Sequence, residues 1–198
     1  MSKHLKLFAV LAFGLYALIH LLSGGPIERP PGILAPDEPT QVLLDRADAI
    51  TQGEYQLQPR AHYDITARVL SVERYHMDPG ANLSPIDFAV GWGPMSDTDT
   101  LRHFKVTQGA RFYTIYPDEQ AIDIPTALRA SANMHLIPAD DNVRDALLST
   151  RPGNIVTLNG YLVRASRSDG FVWNTSLTRN DSGNGACELM YVQGVELR

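Results

Sequence analysis

The sixteen residues Leu7–Leu22 (LFAVLAFGLYALIHLL) contain no Asp, Glu, Lys or Arg, and they follow Lys3, His4 and Lys6. A helix made of them is apolar all round rather than on one face, which suits hydrocarbon better than the surface of a soluble domain. A spanning helix takes about 17–25 apolar residues and a signal-peptide core about 7–15. Extension through Ser23–Pro26 brings the run to bilayer reach at about 1.5 Å per residue. Ser23 and Gly25 supply small residues for a signal peptidase, but Pro26 follows the bond and obstructs cleavage. The expectation is an uncleaved single-pass anchor over residues 1–24, with secretion after cleavage as the alternative. The lysines keep the N-terminus in the cytoplasm by the positive-inside rule. The remainder is then expected outside the inner membrane, in the periplasm of a bacterium.

Beyond the anchor the 198 residues leave room for a linker and one domain with a single core. Of the chain's 17 Lys and Arg against 22 Asp and Glu, Lys3 and Lys6 belong to the anchor, so 15 face 22, a net charge of −7. Lys105 is the one lysine left, and there is no basic stripe, so nucleic acid is not an expected partner. Cys187 is the chain's single cysteine, which rules out an internal disulfide and a Cys-based zinc site. A buried, inert thiol is the expected state for it, ahead of an intermolecular bridge.

Gly24–Pro39 is rich in Pro and Gly and predicts an extended linker, with Thr40–Gly53 a short helix or more linker; together they give a linker over 25–54. The domain proper is expected over 55–198. In Asp64–Val72 the apolar residues alternate as Ile65, Ala67 and Val69, then shift so that Leu70 and Val72 share the other face. That shift predicts a strand with a bulge. His76–Thr100 reads as a long structured loop around the apolar patch Ile86–Val90. Arg102–Thr107 and Arg111–Tyr116 read as a hairpin turning at Gln108–Ala110, and Asn133–Ile137 as a short strand. In Pro138–Ser149 the period changes: Asp140 or Asp141 can cap a helix whose Val143 and Leu147 share a face. Ile155–Ala165, a turn at Ser168–Gly170, Phe171–Thr178 and a last strand from Cys187 follow.

The class is mainly β with one short helix, after a transmembrane helix. By element order, the domain resembles a small OB-fold-like β-barrel, in which a helix plugs one end between the third and fourth strands. The phrases SPIDFAVGWGPMSD, ANMHLIPAD and SLTRNDSGNGACEL are similar to those of a proteobacterial family of membrane-anchored proteins of unknown function. That resemblance implies an envelope location and no activity.

No stretch matches a nucleotide-binding glycine loop, a zinc-protease helix, a serine-hydrolase elbow or an EF-hand, so no cofactor or metal is expected. Three regions carry candidate chemistry. The loop from Tyr75 to Asp97 offers Asp87 as an acceptor and Trp92 as an aromatic platform, in a connection longer than a compact domain needs. Ser131–Asp141 holds His135, an acid–base group or a structural histidine. Thr178–Glu188 holds Arg179, Asp181 and Glu188 around two glycines, where Arg179 can grip a carboxylate or phosphate. Turn capping and core packing explain each region on its own; convergence of Asp87, His135, Arg179, Asp181 and Glu188 at one barrel face would not be so explained.

The leading expectation is a tethered periplasmic module that binds a protein partner, a peptide or an envelope saccharide. It predicts Trp92, Tyr113 or Trp173 exposed in a groove and no buried charged cluster. A hydrolase using Asp87, His135 and Glu188 predicts instead that His135 and a carboxylate lie within hydrogen-bond reach in a cleft. The third reading is a structural subunit of an envelope assembly.

Overall fold

The computed structural model describes residues 25–178 and 185–198. The apolar run Leu7–Leu22 lies outside them, and no helix among the described residues is long and apolar enough to cross a membrane. The elements are β1 (Thr40–Leu43), β2 (Ile50–Gln52), β3 (Tyr55–Arg74), β4 (Ile86–Gly91), α1 (Thr98–Leu101), β5 (Phe104–Gly109), β6 (Phe112–Pro117), α2 (Ile124–Arg129), β7 (Ser131–Pro138), α3 (Asp141–Ser149), β8 (Ile155–Arg167), β9 (Val172–Asn174) and β10 (Glu188–Leu197). The molecule is mainly β, as its sequence predicts.

Five strands pair in a circuit. β3 runs antiparallel to β4, β4 antiparallel to β7, β7 parallel to β10, β10 antiparallel to β8, and β8 antiparallel to β3 again. The parallel step is possible because the long connection through α3, β8 and β9 returns the chain to the far side of β7. β1, β2 and β9 extend the sheet at its margins, and β5–β6 form a separate hairpin. The register of β3 against β4 shifts between Val69 and Ser71, so Leu70 is the extra residue of a bulge, at the point where the apolar alternation changes face.

The circuit encloses the main core. Phe88 and Val90 from β4, Met134 and Leu136 from β7, Leu158 from β8 and Met190 from β10 are all fully buried there. α3 closes the cluster with Val143 and Leu147, four residues apart on one face. Its first turn is capped by Asp140, whose carboxylate accepts from the Val143 N–H at 2.9 Å.

Three expectations are corrected. Thr40–Gly53 is not helical: Thr40–Leu43 and Ile50–Gln52 are strands paired to β3. β-bridge partners on a long neighbouring strand outweigh a weak helical pattern of Val and Ile, which favour strands. Ile86–Val90 is not a patch within a loop but β4, buried on both faces, which is why it reads as a continuous apolar run. The turn of the β5–β6 hairpin falls one residue later than expected, at Ala110–Arg111.

The described part of the Pro-rich segment is fastened to the domain. The Ile27 N–H donates to the Pro152 carbonyl at 2.8 Å, and Arg29 Nε to the Gly153 carbonyl at 2.8 Å. Arg29 Nη2 also donates to the Arg198 carbonyl. Further on, the Gly32 N–H donates to Asp97 and the Leu34 and Ala35 N–H groups donate to Ser96 Oγ, while the Ala35 side chain is buried. Gly153 has φ +92°, and a Cβ there would overlap the Ile27 carbonyl, so the close approach of the strap requires glycine.

Candidate functional site

β4 and β7 lie side by side with Asp87 directly opposite His135. Their neighbours Ile86, Phe88, Met134 and Leu136 fill the core, so by strand alternation Asp87 and His135 project from the other face. That face is covered by the β5–β6 hairpin and the 75–85 loop. Asp87 is fully buried and 5 % of the His135 side chain is exposed. His135 Nδ1 lies 2.8 Å from Asp87 Oδ2.

The second oxygen of Asp87 takes Arg111. Nη1 of Arg111 donates to Asp87 Oδ1 at 2.8 Å, and Nη2 donates to both Asp78 oxygens at 2.9 Å. The guanidinium lies 3.6 Å from the centre of the Tyr75 ring, and the Arg111 N–H donates to the Tyr75 hydroxyl at 3.1 Å. Burial is the main reason that the Tyr75 phenol is pushed up to about 12, with the negative charge of Asp87 acting in the same direction. Two carboxylates against one guanidinium make this a chain, Asp78–Arg111–Asp87–His135, with its charges held at hydrogen-bond distance. A buried carboxylate needs such partners, because an unpaired one costs several kcal/mol.

Arg111 reaches this position from an unusual backbone. Ala110 and Arg111 both have positive φ, 50° and 69°, as a two-residue hairpin turn with a right-handed strand twist requires. The hairpin is fastened at its base by Phe104 and Ile115, which pack on the small cluster of Met95, Ala127 and Ala130. Along its length Gln108 Nε2 donates to Asn133 Oδ1 at 2.7 Å, Asn133 Nδ2 donates to the Arg111 carbonyl at 3.2 Å, and the hydroxyls of Tyr113 and Ser131 lie 3.0 Å apart. Burial raises the Tyr113 phenol above its ordinary range, and the nearby Glu188 carboxylate adds to the shift.

A cleft of 330 Å³ opens beside this network, lined by Arg111, Phe112, His135, Trp173, Asn174 and Cys187 among others. The Trp173 and His135 ring centres are 4.7 Å apart. Trp173 is held from behind by Phe171, edge to face at 6.3 Å, and it passes so close to Gly80 that a side chain there would collide with it. The hairpin tip, β7, β9 and the segment before β10 thus line one concave surface, with the 75–85 loop packed against Trp173 at Gly80.

Of the residues singled out in the sequence, Asp87 and His135 meet. Glu188 begins β10, in register with Met134 and beside the His135–Leu189 pair, and is buried. Arg179 and Asp181 lie outside the described residues. Trp92 is corrected: it is 2 % exposed, within the main core, and is no platform. It directly follows β4, whose even-numbered positions face the core, and continuing that alternation buries Trp92 while Asp87 lies on the polar face. The cleft aromatic is Trp173. The site also contains the buried charged cluster that the binding-module reading expected to be absent.

Arg111 was not singled out from the sequence, whereas Asp78 was one of the carboxylates of the candidate loop. Arg111 occupied the start of an ordinary strand. Only a turn placed at Ala110–Arg111 would have marked it. No protein-family model, curated protein or solved structure matches the chain.

Proposed function

We propose that the domain is an OB-fold-type barrel, tethered at the outer face of a bacterial inner membrane by Leu7–Leu22, that binds a small envelope ligand in the Trp173–His135 cleft. The strand circuit, the parallel β7–β10 step and the position of α3 between β7 and β8 support the OB-type reading. In such barrels the second and third strands, here β4 and β7, and the loops at their rim carry ligands. Among the described residues the chain's own β5–β6 hairpin covers much of that face, and the cleft lies beside it, which favours a small ligand over a long polymer. The net negative charge argues against nucleic acid as the ligand. An aromatic wall beside polar groups suits a sugar unit or the end of a peptide.

The single observation that carries this reading is the Asp78–Arg111–Asp87–His135 chain. It commits Nη1 and Nη2 of Arg111 to two carboxylates and so fixes the hairpin tip, leaving a preformed cleft with Trp173 and His135 side by side. Calorimetric titration of the full chain in detergent with peptidoglycan fragments and short envelope peptides tests it. Binding by one of these classes, lost in Trp173→Ala, is expected; no binding by either, or binding unaltered in Trp173→Ala, overturns the proposal.

A hydrolase is the second reading, favoured by one observation: His135 and Asp87 lie within hydrogen-bond reach beside a cleft. Asp87 then orients His135 as a general base. Turnover of the same fragments by the wild type, absent in His135→Gln, distinguishes it from binding alone.

A further inference from the structure

We propose that a second cavity, walled by the strap, the Leu70 bulge and the β5–β6 hairpin, holds the phosphate head of an anionic membrane lipid against Arg68. The inference uses none of the Trp173 cleft; only the source of the ligand, the membrane, rests on the proposed tether.

The cavity arises where added pieces of the chain meet the strand circuit. Leu70, the extra residue of the β3 bulge, packs with Leu101 and Phe104 on the small cluster of Met95, Ala127 and Ala130. With Val106 of β5 and Pro26 and Ile27 of the strap, these side chains line a pocket of 220 Å³. That is below the roughly 300–1,000 Å³ of a site for a drug-sized molecule, and suits a small head with its first few carbons.

Arg68 is the one charged residue in this lining among the described residues. Its neighbours Ala67 and Val69 both lie in the main core, so strand alternation turns Arg68 to the outer face. There it is 9 % exposed. Nη1 donates to the Ser96 carbonyl at 3.2 Å and to Thr98 Oγ1 at 2.7 Å, and the Thr98 hydroxyl in turn donates to the Arg29 carbonyl of the strap at 3.1 Å. Nε and Nη2 make no hydrogen bond among the described residues, and neither atom is sealed from solvent.

No carboxylate among the described residues forms an ion pair with this guanidinium. Asp97 acts on it from further off, but the Asp97 oxygens accept from the Gly32 and Asp99 N–H groups and from the Thr100 hydroxyl. Burial first, and then the positive charge of Arg29, hold the Arg68 pKa below its ordinary value. An anion at the pocket relieves both effects. Nε and Nη2 are the edge of the guanidinium that grips a phosphate through two N–H donors.

The apolar walls favour a phosphate that carries an alkyl chain over a free one. Pro26 is four positions from the end of the apolar run, at most about 14 Å of extended chain, so with Leu7–Leu22 in the bilayer the pocket opens close to the headgroups. The domain's net negative charge gives it no general attraction to an anionic surface, so a preference for anionic lipid has to come from a built site such as this one.

Calorimetric titration of the full chain in phosphatidylcholine nanodiscs, with empty discs as the blank, tests the inference with hexyl phosphate and inorganic phosphate. Each buried CH₂ is worth about fourfold in affinity, so hexyl phosphate should bind about tenfold or more tighter than inorganic phosphate. Arg68→Gln keeps a donor towards Ser96 and Thr98 but removes the charge, and Val106→Glu places a carboxylate in the pocket from the hairpin. Each should weaken hexyl phosphate about tenfold or more, with the Trp92 and Trp173 indole resonances in their wild-type positions as the check on folding. Replacing part of the phosphatidylcholine by phosphatidylglycerol should also weaken hexyl phosphate, because the lipid then occupies the pocket. Absence of hexyl phosphate binding, equal binding of inorganic phosphate, or binding untouched in a folded Arg68→Gln or Val106→Glu chain overturns the proposal. Binding indifferent to phosphatidylglycerol overturns the lipid as ligand, and energy transfer from the domain to the same discs tells whether the pocket or the tether is at fault. Trp173→Ala should leave hexyl phosphate binding unaltered, so this proposal and that of the cleft fail separately.

Discussion

At Arg111 a left-handed backbone and a buried guanidinium occupy the same residue. The φ of 69° costs on the order of 1 kcal/mol for a residue with a Cβ. The two ion pairs outweigh it, because Asp87 is fully buried and Arg111 is the one Lys or Arg paired with it among the described residues. Arg111→Met should therefore destabilise the fold by about 3–5 kcal/mol, the usual loss when a buried pair is broken by removal of one partner. Arg111→Gly relieves the backbone but should still lose most of that amount. Arg111→Lys should fall between wild type and Met, since an ammonium keeps the charge and loses the fork. Urea midpoints of the three variants check the order. Tyr75 supplies a second test. Its phenol is neutral in the folded state up to about 12, whereas in the unfolded chain it ionises near 10. Between those values the unfolded state has released a proton that the folded state retains, so stability must fall as pH rises through that window. Tyr75→Phe should make stability less sensitive to pH there, measured by urea unfolding from about pH 9 upward.

At the level of elements, the strap of residues 27–35 and the β5–β6 hairpin are two of the pieces added to the strand circuit, and each has its own lock. Gly153→Ala places a methyl against the Ile27 carbonyl and imposes a positive φ on alanine. It should lower stability by about 1–3 kcal/mol and expose the strap to limited proteolysis before the rest of the domain. The strap's second lock titrates. The Gly32 N–H bond, ahead of its other contacts, holds the Asp97 carboxyl below its ordinary range. A depressed carboxyl contributes stability above its unfolded value of about 4, and that contribution is lost as pH falls through the folded value. Strap proteolysis should therefore rise in acid, and Asp97→Asn should show the raised level already at neutral pH.

Elements were legible in the sequence where one period dominated. The bulge at Leu70 stood out because two alternations meet there, and α3 because a capping aspartate precedes an i, i+4 pair. β4 was hidden by its surroundings: Pro, Gly and Asp on both sides read as loop, and burial on both faces erases alternation. The Asp87–His135 pairing was conceivable from the sequence, but register decides it. A slip of one residue between β4 and β7 would have turned His135 into the core and left Asp87 alone. Arg111 was beyond reach, because nothing in a run of strand-forming residues says which one the hairpin turns on.

At the scale of the whole molecule, the strap changes what the tether means. Residue 25 is three positions from the end of the apolar run, and the chain is fastened to Pro152 from Ile27 onward. If Leu7–Leu22 spans the bilayer, the five positions from Leu22 to Ile27 reach no more than about 18 Å at the extended limit. The domain is then held close against the membrane rather than swinging on a long linker. Förster transfer from Trp173 and Trp92 to a headgroup acceptor in proteoliposomes should accordingly be strong, and unaffected by salt. Transfer no greater than for a soluble control of residues 25–198 would mean that the run does not anchor the chain.

The central claim is that the Arg111-centred network preforms a ligand cleft at Trp173. Two tryptophans give two indole N–H resonances, one from Trp92 in the core and one from Trp173 at the cleft. Nitrogen–proton spectra of the labelled chain, recorded with peptidoglycan fragments and envelope peptides added in turn, read the claim directly. Displacement of the Trp173 resonance by one of these classes, with the Trp92 resonance unmoved, is the predicted result; a Trp173 resonance that stays in place throughout contradicts it.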